Sequence, residues 1–139
     1  MPRKIADYCR ETGQPVPTTP GEFIRATLES LALLYRQTLA QMEEVTGQKL
    51  TTLHIVGGGS KNKLLNQLSA DATGRTVITG PVEATAAGNI LIQAIALGHL
   101  KSLADLRAVV RQSFDVEPYQ PQDARHWQPA CEKFQKLPA

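Results

Sequence analysis

The chain has 139 residues and a mass of 15.1 kDa, a size that suits one domain and leaves little room for two. Fifteen Lys and Arg against thirteen Asp and Glu give a net charge of +2, too balanced for nucleic-acid or membrane-surface binding driven by charge alone. With 42% hydrophobic and 20% charged residues the composition is globular, and no apolar run reaches the roughly 18–20 residues of a membrane span.

Helices dominate the chain order. Ile5–Thr12 is a short helical candidate, followed by the Pro-rich segment Gly13-Gln-Pro-Val-Pro-Thr-Thr-Pro20. Thr19-Pro20-Gly21-Glu22 starts a long helix: Thr19 caps, Pro20 suits the first helical position, and Glu22 completes a capping box. Ile24, Leu28, Leu31, Tyr35, Leu39 and Met42 then recur at helical spacing as one buried stripe, and Gly47 closes the element. Thr51–Val56 reads as a strand ending on Gly57-Gly58-Gly59, and Ser60 is placed to cap a helix from Lys61 to about Thr73, which Gly74 stops. Arg75–Thr79 is a second strand, ended by Gly80-Pro81.

A helix from about Glu83 to Leu97 follows, small at its start and apolar on most sides later, so its pattern predicts a largely buried element. Ser102-Leu-Ala-Asp105 opens another helix ending near Ser113. Phe114–Gln122 looks extended or irregular, and Asp123–Lys136 is a weaker terminal helix in which Pro129 is a break or a late start. Strand–helix–strand with a long connecting helix implies a parallel, right-handed pair. Two strands make a poor sheet, and a parallel sheet buried on both faces expects further neighbours. The expectation is a partial domain that belongs to a larger one or borrows strands from a partner.

Chemical candidates are few. Met1-Pro-Arg-Lys lacks the apolar stretch of a signal peptide, and Cys9 and Cys131 stand far apart outside any Cys/His cluster. Both features point to a reduced cytoplasmic protein without a zinc site, with a Cys9–Cys131 disulfide open but disfavoured. His54 reads as a core or sheet-surface residue, His99 as a helix-end residue, and His126 and Trp127 as packing residues of the tail. Asp71, Asp105 and Asp115 have no evident partner, and Glu83 either faces the glycine turn or caps a helix. No catalytic or metal-ligating constellation is visible.

The strongest signal is Gly57-Gly-Gly-Ser-Lys-Asn62. Three glycines after a strand let backbone approach a ligand closely, and the N–H groups opening the next helix favour phosphate or another polar group. The turn matches neither the dinucleotide fingerprint nor the phosphate loop of nucleoside triphosphatases, so ligand binding and a plain tight turn both stay open. Capping outweighs nucleophilic chemistry for Ser60, which has no adjacent base.

At this turn the sequence resembles a known family. Leu53–Ala72, read on through Gly80–Asn89, looks like the C-terminal part of the rhamnulokinase branch of the FGGY carbohydrate kinases. Ile5–Pro17 resembles the same branch, and Glu22–Glu29 resembles the second half of a family signature. Gln14 departs from the first half, standing where an aliphatic residue is expected.

The resemblance implies an α/β, partial actin-like (ribonuclease-H-like) ATPase domain, with residues 1–139 as the C-terminal portion of the second kinase domain. Residues 1–20 would lead in, and residues 120–139 would form a weakly defined tail. It implies transfer of the ATP γ-phosphoryl group to L-rhamnulose with Mg²⁺. The base, the phosphate-handling loop, the sugar site and the Mg²⁺ ligands would lie in segments unmatched in this chain, leaving it inactive alone. Residue by residue, the adenosine-binding turn falls on Gly57, Gly58 and Gly59. Asn62 would meet the adenine region, Ser60 would be a neighbouring contact, and no function carries onto Asn89. The alternative is a noncatalytic module that completes a partner's sheet, or that self-associates through exposed sheet edges.

Overall fold

The computed structural model describes residues 1–137; the last two residues of the expected tail, 138 and 139, lie outside the described residues. Helix α1 spans Pro2–Glu11, beginning earlier than its apolar residues suggest because Pro2 sits in its first turn. Helix α2 runs 27 residues, Pro20–Thr46, from a complete capping box to a left-handed Gly47. Thr19 Oγ1 accepts from the Glu22 N–H at 3.3 Å, and the Glu22 carboxylate accepts from the N–H groups of Thr18 and Thr19. These donors, led by the Thr18 N–H, hold the Glu22 carboxyl below the ordinary carboxylate range.

The buried stripe of α2 is shorter than its periodicity implies. Ala32 and Leu39 are buried, with Leu28, Leu31 and Tyr35 partly so, whereas Ile24 and Met42 at the two ends are exposed. The middle of this long helix packs on α3, Lys63–Thr73. Ala32, Leu68, Ala72, Trp127 and Cys131 form the core there, flanked by Leu28 and Leu33.

Strands β1 (Thr52–Ile55) and β2 (Thr76–Thr79) pair in parallel, Thr52 opposite Thr76 through Ile55 opposite Thr79, as the strand–helix–strand order requires. The count of two strands needs correction. Pro118–Tyr119 forms β3, antiparallel to β2, in the segment expected to be extended or irregular. The sheet order is β1-β2-β3. A two-residue strand containing a proline carries no alternation to read, and proline confines it to a sheet edge. Thr79 carries the pairing past Pro118: its N–H donates to Glu117 O at 3.0 Å, and its Oγ1 accepts from the Glu117 N–H at 3.2 Å.

Helix α4, Ala84–Ala96, overturns the expectation of burial. None of its residues is buried, and Ile90 (66% exposed), Ile92 and Leu97 just beyond its end face outward. Its main neighbour is α5, Leu103–Ser113, which Ser102 caps by accepting from the Asp105 N–H at 3.2 Å. The helix is apolar, but no surface among the described residues covers it. Helix α6, Gln128–Gln135, starts late with Pro129 in its first turn. Trp127 just before it is buried, while His126 is exposed rather than packed. Cys9 and Cys131 are both buried and free.

Candidate functional site

The two parallel strands deliver two loops to the same end of the sheet, the edge where open α/β folds bind ligands. The loop after β1 contains Gly57–Asn62 and the loop after β2 contains Gly80–Glu83. They are laced together: the Gly57 N–H donates to Pro81 O at 3.0 Å and the Gly80 N–H to Ile55 O at 2.9 Å. Gly57 has φ +77° and ψ −162°, a conformation that L side chains rarely adopt, so glycine is required there. Gly80 is required for a different reason, since a Cβ on it would stand 2.7 Å from Val56 Cγ1.

Gly58–Lys61 then forms a single 3₁₀ turn before α3 begins. Ser60 is not the cap of α3, as its position suggested. Its N–H donates to Gly57 O at 3.1 Å and its hydroxyl to the same oxygen at 2.7 Å, closing the turn on itself. The cap is Asn62, whose Oδ1 accepts from the Leu65 N–H at 3.0 Å. That bond commits the acceptor of the Asn62 side chain and leaves its NH₂ outside the cap, so Asn62 has a donor rather than both a donor and an acceptor to turn outward.

Gly58 and Gly59 are exposed, and among the described residues their N–H groups meet no acceptor, as expected for the first donors of a helical turn. A Cβ on Gly58 would meet nothing within 4 Å, so the space over it is open. Beside it, α4 begins at Ala84 with Glu83 as N-cap but without a side-chain cap bond. The structure therefore brings together two uncommitted glycine N–H groups, open space, the Asn62 amide and an uncapped helix start. Charge is mild: Lys61 and Lys63 flank the turn, and Lys63 lies 3.7 Å from the Glu117 carboxylate.

Glu117 also accepts from the Tyr119 hydroxyl at 2.8 Å. Desolvation first, then that hydrogen bond, raises the Tyr119 phenol above its ordinary value. The turn offers no carboxylate, and among the described residues no three His, Cys, Asp or Glu side chains gather into a metal-holding group. Mg²⁺, a hard cation held through carboxylates and phosphates, does not fit the residues of this turn.

Other candidates are dispersed. His54 is an exposed strand residue. Asp71 is buried and structural, accepting from Gln67 Nε2 at 3.0 Å and the Gln122 N–H at 2.7 Å. A cleft of about 710 Å³ is lined by Arg36, Arg75 and Arg125, with Thr73 and Gly74 at the end of α3. Two of these arginines are already occupied: Arg36 donates to Ala72 O at 3.0 Å and Gln128 Oε1 at 2.9 Å, and Arg75 pairs with Glu43 at 2.8 Å. Sequence reading missed Gly80 and Asn66 near the turn. A glycine at a strand end just before proline could have signalled the first; nothing in spacing marks the second.

This α/β arrangement, with its ligand edge at the carboxyl ends of a parallel pair, is that of the actin-like ATPase class. The fold resembles a xylulose kinase from Rhodospirillum rubrum with a TM-score of 0.69 at 23% identity, over 90% of this chain and 25% of that one. Residues 1–97 match the FGGY family of carbohydrate kinases, C-terminal domain. The chain belongs to that family. It is 45% identical over 134 residues to a rhamnulokinase from Bacteroides thetaiotaomicron, covering 96% of this chain and 28% of the relative. To rhamnulokinases from Enterococcus faecalis and Bacillus subtilis it is 49% and 42% identical over 86% and 88% of its length, each match spanning 25% of the relative. The chain thus spans about a quarter of the length of these relatives.

Proposed function

We propose that these residues form the adenine-nucleotide-binding portion of a sugar kinase, within the second FGGY domain, and that the full enzyme transfers the ATP γ-phosphoryl group to L-rhamnulose. The observation that carries this reading is the pair of uncommitted N–H groups at Gly58 and Gly59 under open space. Two donors there, with the Asn62 NH₂ nearby, suit the polar edge of a nucleoside approaching along the backbone. Gly57 holds the turn through its positive φ, and Ser60 closes it. The relatives supply the sugar, since those compared are rhamnulokinases.

Phosphoryl transfer needs a base for the acceptor hydroxyl and charge neutralisation at the phosphates. Lys61 and Lys63 flank the turn, but no carboxylate there can serve as the base, so in this reading the chain alone is inactive, and base, sugar pocket and Mg²⁺ ligands belong to other segments of a cytoplasmic enzyme. Titrating the isotope-labelled chain with a nonhydrolysable ATP analogue tests the reading. Amide shifts confined to residues 57–62 and their neighbours are expected; silence there at millimolar nucleotide overturns it. Sugar-dependent ADP release by the purified chain would overturn the inactivity.

A second reading has its own observation. The uncovered apolar surface of α4 and the free edge of β1 favour a module that docks onto a partner or onto itself. Concentration-dependent sedimentation together with a silent nucleotide titration would favour that reading.

A further inference from the structure

We propose that Asn66 is a positioning residue, one that holds the Gly57–Lys61 turn in shape. The inference deepens the nucleotide-site reading above and rests on it. Asn66 lies on α3 and is wholly buried, 0% exposed. Its Nδ2 donates to Ser60 O at 2.9 Å, the carbonyl that leaves the 3₁₀ turn just before α3 takes over. Tyr119 on β3 stands near the same side chain, and its hydroxyl donates to Glu117 at 2.8 Å.

The other end of the carboxamide is the unusual part. Among the described residues, Asn66 Oδ1 is the one buried side-chain polar atom without a hydrogen-bond partner. A buried acceptor left unpaired is destabilising, so an apolar residue of the same shape would serve packing as well or better. The NH₂ group accounts for an asparagine here: it carries a donor to the carbonyl that closes the turn. The turn under the Gly58 and Gly59 donors is therefore braced from beneath.

The test separates bracing from packing by comparing Asn66→Leu and Tyr119→Phe with the parent chain. Hydrogen exchange at the Ser60 and Asn62 amides is read without nucleotide, melting by circular dichroism, and affinity with the nonhydrolysable ATP analogue. Asn66→Leu should melt no lower than the parent, yet exchange at those amides and the Kd for the analogue should each rise about five- to tenfold, the scale of one lost hydrogen bond. Tyr119→Phe, at a half-exposed neighbouring position, is the control and should leave both within about twofold of the parent, since the brace runs from Asn66 to Ser60 O. Unchanged turn exchange in Asn66→Leu overturns the proposal, and so does a Leu variant that melts lower without loosening the turn. A parent chain that binds no analogue overturns the nucleotide-site reading alone, because the exchange comparison still decides the role of Asn66.

Discussion

Helices α3 and α4 each follow a parallel strand of the same sheet, and their burial is the reverse of their composition. Seven of the eleven residues of α3 are buried, among them Asn66, Ser69 and Asp71, whereas none of the thirteen in α4 is, although Ile90, Leu91, Ile92 and Ile95 crowd its second half. In α3 these polar side chains are hydrogen-bonded except at Asn66 Oδ1: Ser69 Oγ donates to Leu65 O at 2.7 Å, Asp71 accepts from Gln67 and Gln122, and Asn66 Nδ2 donates to Ser60 O. Burial there follows from α2 on one side and the tail on the other. Apolar character alone buries nothing without a facing surface, and among the described residues α5 is the main neighbour of α4. The difference marks α4 as a helix suited to more structure than a chain spanning a quarter of its relatives provides.

The contrast can be broken most forcefully at the core. Trp127→Ala removes the largest member of the α2–α3–tail cluster and should cost about 3–5 kcal/mol, read as a lowered midpoint in chemical denaturation followed by circular dichroism. A loss under about 1 kcal/mol would mean the tail does not close this core. Gly80→Val acts where the chain leaves the body for α4. The new side chain meets Val56, and about 1–3 kcal/mol of overpacking is expected, with amide shifts reaching Gly57 across the laced loops.

Ile90→Ser on α4 should change stability by no more than about 0.5 kcal/mol, because the side chain is already in water. It should lower the binding of a hydrophobic dye, and native-state hydrogen exchange should be faster across α4 than across α3. A loss of several kcal/mol would erase the distinction between the two helices.

The smallest effect lies in the capping box. Glu22 has a lowered carboxyl pKa, so its contribution is present above the ordinary carboxylate range and is lost as pH falls through the lowered value. Comparing melts of the parent and Glu22→Gln from neutral to acid pH should show the two converging in acid. A gap that widens in acid contradicts the sign.

The legible parts were those with local causes. The capping box, the glycine stops at Gly47 and Gly74, and the parallel pair are written in neighbouring residues, and all stand in the structure. The glycine turn was found because strand, glycines and helix start are contiguous. Its internal chemistry was not, because the choice between Ser60 and Asn62 as cap depends on a 3₁₀ turn that delays α3 to Lys63. Strand β3 was hidden for another reason: it joins residues about 40 positions apart, and no periodicity records such a contact. The Asn66 brace spans only six positions, but it rests on a side-chain donor to a backbone carbonyl, which residue spacing does not mark.

Arg36 carries a consequence for the order of folding. It clasps the end of α3 through Ala72 O and the start of α6 through Gln128, partners 36 and 92 positions away. Trp127 and Cys131 complete the core beside it, beyond the 1–97 stretch that matches the family. As the chain leaves the ribosome, α2 and α3 can meet early, but their shared apolar face stays wet until the closing residues emerge. Loop closure over such a span is slow relative to helix formation, so residues 127–131 act as the latch of a core that α2 and α3 begin.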